Sequence, residues 1–151
     1  MEIRILQKHE EPPMDLLLLA DPSTSLIEKY IKESECVVAL VENKIIGICV
    51  LLQKDASTVE IVNIAVAAYM QDQGIGKQLV IHAKQRAQKN GFKRLEVGTG
   101  NSSISQLAFY QKCGFRITSI EFDYFINHYA EEIYENGIQC KDMIRLSLEL
   151  E

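Results

Sequence analysis

The apolar residues of this chain fall into two rhythms, each of which predicts its own elements. Glu2 to Gln7 alternates polar and apolar positions as an edge strand does, and His9-Glu10-Glu11-Pro12-Pro13 breaks it. Met14 to Ala20 and Thr24 to Lys32 carry the denser spacing of two short helices. Asp21-Pro22 separates them, and Ser23 or Ser25 supplies the N-cap of the second. Val37 to Val41 and Ile45 to Leu52 are apolar runs around Glu42-Asn43-Lys44, which predicts a hairpin, and Val59 to Val66 predicts a further strand. Next, Ile75, Leu79, Ala83 and Ala87 recur every fourth residue with Val80 beside them. Gly74 to Lys89 therefore predicts an amphipathic helix ending at Asn90-Gly91. Lys93 to Gly98 reads as a strand, Ser103 to Lys112 as a helix stopped by Cys113-Gly114, and Phe115 to Phe122 as a strand. A polar, aromatic loop through Gly137 leads to a last strand, Asp142 to Leu150.

This order predicts a mixed α/β (α+β) layer fold. A strand-helix-strand crossover in its middle sets Val59 to Val66 and Lys93 to Gly98 roughly parallel. A length of 151 residues with 47% hydrophobic content suits a single domain over residues 1–151. No apolar run has the roughly 18 residues of a membrane-spanning helix. The start MEIRILQKHEEPP lacks the basic-then-apolar layout of a secretory signal, so a cytoplasmic location and no membrane partner are expected. Cys36, Cys49, Cys113 and Cys140 form no C-x-x-C pair, and His9, His82 and His128 have no ligand-like spacing, so neither disulfides nor a metal site are expected. A net charge of −5 argues against nucleic acid as a partner. The charge is uneven, however: Gln71 to Arg94 is basic and Phe115 to Glu151 acidic. This pattern fits either two solvated faces or an anionic ligand near the first segment and a cationic one near the second.

The stretch QDQGIGKQL, Gln71 to Leu79, places two glycines where a strand gives way to a helix. Free N–H groups of a first helical turn, together with the positive end of the helix dipole, make a cradle for phosphate. A dinucleotide fingerprint would need a third glycine where Leu79 stands, and a Walker loop needs G-x-x-x-x-G-K-[ST]; neither is present. Taken alone, the turn is equally a tight strand-to-helix connection with no ligand.

The wider pattern narrows the choice. Gln71-x-x-Gly74-x-Gly76 after the strand Ile64-Ala65-Val66, followed at a distance by Phe109-Tyr110-Gln111-Lys112-Cys113-Gly114-Phe115, resembles the GNAT superfamily of acetyl-CoA-dependent N-acetyltransferases. The likeness covers roughly Val37 to Arg116. It implies a GNAT-like, mostly antiparallel central sheet with a splayed parallel strand pair and helices on both faces. It implies acetyl-CoA as cosubstrate, with Gln71, Asp72, Gln73, Gly74, Ile75, Gly76 and Lys77 around the pyrophosphate and the backbone of Ile64, Ala65 and Val66 along the pantetheine arm. Many members place an asparagine seven residues before the signature tyrosine; Ser103 stands there in this chain, and Asn101 and Ser102 lie just upstream as substitutes. Lys77, Lys84 and Arg86 are available to steer the phosphates.

An amine that attacks a thioester must be neutral, whereas a lysine-type amine with a pKa near about 10.4 is mostly charged at neutral pH. In the strand Thr58 to Val66 the polar side chains after Thr58 are Glu60 and Asn63, and their odd spacing fits a bulge or opposite faces. Glu60 matches a position where several family members carry a base, acting directly or through a water. Tyr110 holds the signature position, and the resemblance implies that its hydroxyl protonates the departing sulfur. The expected function is acetyl transfer to a primary amine, small-molecule or peptide, by direct attack in a ternary complex. Asp123 to Tyr129, rich in acids and aromatics, suits an ammonium ligand or a contact with its own domain or a second copy, so a homodimer is compatible with the sequence. The alternatives are a non-catalytic acyl-CoA-binding regulatory domain and a structural interaction module.

Overall fold

A computed structural model describes residues 1–151. Its first half runs β1 (Glu2–Ile5), α1 (Met14–Ala20), α2 (Thr24–Ile31), β2 (Glu35–Val41), β3 (Lys44–Gln53) and β4 (Thr58–Val66). A turn of 3₁₀ helix, Ala68–Met70, leads to α3 (Ile75–Lys89), β5 (Arg94–Gly100), α4 (Ile104–Lys112) and β6 (Arg116–Glu121). The chain then closes with α5 (Tyr124–His128), β7 (Tyr134–Glu135), β8 (Ile138–Gln139) and β9 (Met143–Glu149). Seven strands make one sheet in the order β1-β2-β3-β4-β5-β9-β6, and β7 pairs with β8 apart from it. Only β4 and β5 run parallel, because the α3 crossover joins them; the other pairings are antiparallel.

Local chemistry explains most boundaries. Glu42 and Asn43, at φ of 50° and 66°, form the two-residue turn of the β2–β3 hairpin, whose twist matches the flanking strands. The Ser23 hydroxyl accepts from the Leu26 amide at 3.2 Å and caps α2. The segment from Asp123 to Gln139, expected as loop, instead holds α5 and the β7–β8 hairpin. Five residues of helix and two-residue strands are too short to show a period, although Asn136-Gly137, at φ of 55° and 73°, is a hairpin turn written in the sequence.

The sheet carries helices on both faces. On one, α3 buries Ile75, Leu79, Val80, Ala83 and Ala87, with Leu79 and Ile75 meeting Gly47 of β3. On the other, α1 buries Leu16 and Leu17, and the Leu17 carbonyl accepts from the Asn63 side chain of β4 at 2.9 Å. Full burial of one such leucine is worth about 1.5–3 kcal/mol, so seven-residue α1 is held by packing more than by its own propensity.

Two irregularities mark β4. Val50 pairs with Asn63, Leu51 with Ile61 and Leu52 with Glu60, so Val62 is an extra, bulged residue. Since Val50 and Leu52 point to the same face of β3, their partners Asn63 and Glu60 share a face as well. The bulge, not an opposition of faces, explains the odd spacing. Secondly, β4 and β5 pair only from Thr58↔Arg94 to Ile61↔Val97. Beyond Ile61 the two strands part, and the edge of Val62–Val66 facing β5 is left open.

Candidate active site

A cleft of about 530 Å³ lies on the α3 side of this gap. Its walls are Ile64, Ala65 and Val66 of β4, the turn from Met70 to Lys77, one face of α4, and Leu19 and Ala20 from the end of α1. Gln71 fixes the turn to the strand, its Nε2 donating to the Val66 carbonyl at 3.0 Å. Asp72 and Gly74 take the left-handed conformation at φ of 62° and 78°, which turns the chain so that α3 starts at Ile75 with Gly74 as its cap. The first intrahelical acceptor is the Gly74 carbonyl, which receives the Gln78 amide at 3.1 Å. The amides of Gly74, Ile75, Gly76 and Lys77 therefore precede the first helical bond and face the cleft with their donors free. With the dipole of a 15-residue helix behind them, these donors are arranged as an anion would require.

The two glycines serve different ends. No atom lies within 4 Å of a β-carbon built on Gly74, and the backbone conformation is what selects glycine there. At Gly76 a β-carbon would stand 3.4 Å from the Phe109 ring, in ordinary contact, so this glycine marks where α4 meets α3.

Of the sequence-nominated residues, Ile64, Ala65, Val66, Gln71, Asp72, Gly74, Ile75, Gly76 and Lys77 line the cleft, and Gln73, Asn101, Ser103 and Tyr110 do not. Asn101 is fully engaged elsewhere. Its Oδ1 accepts from the amides of Lys141 and Asp142 at 2.8 and 2.9 Å, and its Nδ2 donates to the Gln139 carbonyl, tying the start of β9 to the end of β5. Ser103 donates to Glu135 at 2.8 Å. Arg86 grips Glu35 of β2 through two 2.7 Å bonds and is absent from the walls. Lys112 and Phe109, by contrast, line the cleft with Ser105 and Cys113, a helical face of α4 legible from its spacing of three and four residues.

Tyr110 lies directly beneath this wall, 4% exposed, packed edge-on between Phe109 and Phe115. Burial pushes its hydroxyl well above the ordinary tyrosine range, so it stays protonated at physiological pH, with the neighbouring thiols Cys49 and Cys113 adding to the shift. The sealed polar side-chain atoms without a partner are Asn63 Oδ1 and Ser102 Oγ. The Tyr110 hydroxyl makes no hydrogen bond within the chain and carries its proton without a fixed acceptor.

Glu60 sits on the opposite face, half-buried. Lys54 Nζ donates to its Oε1 at 3.0 Å, and Arg145 Nη1 of β9 lies 3.6 Å from its Oε2. Arg145 in turn meets Glu121 at 3.2 Å. The parting of β4 and β5 is the opening between this cluster and the cleft.

A family model described as the acetyltransferase (GNAT) family matches residues 4–115. A curated Bacillus subtilis protein called uncharacterized N-acetyltransferase YvbK is 50% identical over 150 residues, covering 99% of this chain and 97% of its own. A GNAT family acetyltransferase of Elizabethkingia anophelis, solved with acetyl-CoA bound, superposes with a TM-score of 0.96 at 49% identity, covering 99% of this chain and 97% of that one. A Bacillus cereus structure described as IAA acetyltransferase superposes with a TM-score of 0.92 at 55% identity, covering 99% and 100%. No helix of the chain is long and apolar enough to cross a membrane.

Proposed function

This chain belongs to the GNAT family of acetyltransferases, with acetyl-CoA as cosubstrate, and from that membership we propose that it acetylates a primary amine by direct attack in a ternary complex. The observation that carries the proposal is the run of free amides from Gly74 to Lys77 at one end of a cleft whose other end meets the gap between β4 and β5. Diphosphate fits the donor cradle, and the apolar wall of Ile64, Val66 and Phe109 suits a pantetheine arm. Acetyl-CoA supplies the activated acyl group and a thiolate leaving group.

The chain's own residues divide the remaining work. Gly74, Ile75 and Gly76 amides neutralise anionic oxygens, and Lys77 adds a mobile charge at the mouth. A backbone N–H of the open edge near Val66 donates to the carbonyl oxygen as negative charge grows there. From the other face of the sheet, Glu60 takes the proton of the incoming ammonium directly or through a water, which frees the nitrogen lone pair to form the N–C bond. Lys54 and Arg145 hold the carboxylate in place for that transfer. Tyr110 gives its proton to the sulfur as the C–S bond breaks, and the nitrogen's second proton, shed as the amide forms, restores the Tyr110 phenol through water. A thiol with a pKa near about 8.5 leaves readily, so this proton assists without being indispensable.

An amine screen by free-thiol release, run with wild type and Glu60→Gln, tests the reading. We expect Glu60→Gln to lower kcat by roughly a hundredfold and to flatten its pH dependence, with acetyl-CoA affinity within about twofold of wild type. Unchanged kinetics would remove Glu60 from the mechanism.

A further inference from the structure

Beyond the cofactor cleft, the ends of α1, α2 and α5 bring one uncompensated carboxylate and three tyrosines together. Asp21 directly follows Leu19 and Ala20, which wall the cleft. Its Oδ1 accepts from the Ser23 amide at 3.0 Å and from the Tyr129 hydroxyl at 3.3 Å, the second bond joining parts of the chain 108 residues apart. The carboxylates that do find cations are Glu2, Glu10, Glu35, Glu60, Glu121 and Glu149; Asp21 finds none. It is nevertheless half-buried and held in a fixed orientation.

Tyr129 touches this charge, and half-buried Tyr30 and Tyr124 stand on the neighbouring helices α2 and α5. The Tyr129 hydroxyl is raised by burial first and then by Asp21. The Tyr30 hydroxyl is pushed up to about 12, again by burial first; a bond from Asn63 opposes the shift and the charge of Asp21 adds to it. Tyr124 is raised by burial, opposed by Arg145, and then pushed further by Glu121, Glu60 and Asp21, so it feels both the proposed base and the lone carboxylate. Behind them Asn63, 4% exposed, donates to the Leu17 carbonyl and to the Tyr30 hydroxyl at 2.9 Å each and leaves its own Oδ1 without a partner. A fold that carries an unsatisfied buried acceptor in order to fix Tyr30 and the end of α1 has invested in the shape of this corner.

We propose that Asp21, with Tyr30, Tyr124 and Tyr129, forms a subsite for an ammonium group of the acceptor that does not react, and hence that the acceptor carries at least two basic nitrogens. The inference rests on the acetyl-transfer reading above. A nitrogen held against an uncompensated carboxylate keeps its proton, because a nearby opposite charge favours the charged form, and a protonated nitrogen has no lone pair with which to attack. Glu60, whose charge is already offset by Lys54 and Arg145, is the carboxylate beside which an amine can lose its proton. Asp21 therefore suits the nitrogen that stays charged. A diamine supplies one nitrogen for each of the two carboxylates.

The test compares putrescine and cadaverine with the amino alcohols of equal chain length, in which a hydroxyl replaces the second ammonium. Thiol release gives kcat/KM, and calorimetry on CoA-loaded protein gives binding without turnover. We expect the diamines to exceed their matched amino alcohols by about ten- to a hundredfold in kcat/KM, almost wholly through KM, and by a similar factor in affinity. Asp21→Asn should bring that ratio to about one, while Asp21→Glu, which keeps the charge, retains part of it. Equal behaviour of the two series with wild-type protein overturns the subsite, as does an Asp21→Asn enzyme that keeps the diamine preference. Diamine-selective binding without any turnover would instead contradict the acetyl-transfer reading and keep the subsite.

Discussion

The ring edge of Phe109 lies 3.4 Å from the point where a β-carbon on Gly76 would stand, so the second glycine of the turn is a seam between α3 and α4. Gly74, at φ 78° with open space around it, is selected by backbone conformation alone. The two should respond differently to alanine. Gly74→Ala forces a side chain into the left-handed region and should cost about 1 kcal/mol, lowering Tm by roughly 2–4 °C in a chain of this size. Gly76→Ala meets Phe109 at ordinary contact distance and gains helix propensity, so its stability should be unchanged or up to about 1 kcal/mol higher. Thermal unfolding of both variants checks the pair.

Lys77 and Arg86 separate the proposed cofactor electrostatics from scaffold electrostatics. Lys77 stands at the cleft wall, whereas Arg86 is spent on Glu35 across the α3–β2 contact, both partners about one-third exposed. Lys77→Gln should weaken acetyl-CoA binding several-fold, with the difference from wild type shrinking as salt is raised. Arg86→Gln should leave that affinity alone and cost less than about 1 kcal/mol of stability. Calorimetric titrations at low and high ionic strength, beside urea unfolding, distinguish the two roles.

The Tyr110 hydroxyl makes no hydrogen bond within the chain, while its ring is clasped by Phe109 and Phe115. Tyr110→Phe should therefore fold with near wild-type stability and lose about ten- to a hundredfold in kcat, because a thiolate departs tolerably well without a proton donor. A loss in KM alone, with kcat intact, would speak against a role at the sulfur.

Alkaline stability tests the environment of Tyr30. In the folded chain its hydroxyl is raised from 10.0 to about 12, chiefly by burial. The unfolded chain releases this proton first, so the stability Tyr30 contributes is fully present below about pH 10 and is lost as the pH rises toward about 12. The urea midpoint should fall between about pH 10 and about pH 12, and less steeply in Tyr30→Phe, which has no phenolic proton to lose.

Much of this architecture is legible in the residues because pattern and turn chemistry agree. The four-residue apolar repeat of α3, the Glu42-Asn43 turn and the Asn90-Gly91 stop each mark their element within a residue or two. The turn at the cleft is legible too, since Gln71, Gly74 and Lys77 lie together along the chain. What escapes is long-range. Asn101 has the side chain of a ligand contact, but three bonds to the β8–β9 connection consume it, and no local pattern announces a partner some 40 residues away. Arg86 reads as one more cation of a basic segment until the fold sets Glu35 beside it. Asp21 reads as half of a helix-breaking Asp-Pro pair, and only packing against α5 makes it a lone charge among tyrosines. The odd spacing of Glu60 and Asn63 admits two explanations in sequence; the strand register leaves one.

The amide resonances of Gly74 and Gly76 report most directly on the central claim, that free backbone donors at the start of α3 hold the diphosphate of acetyl-CoA. In a proton–nitrogen NMR titration with acetyl-CoA, both should move downfield in the proton dimension and rank among the largest shifts in the chain, as donors that gain a charged acceptor do. If these two amides keep their positions while the cofactor saturates the protein and shifts residues elsewhere, the diphosphate lies outside the turn and the account is wrong.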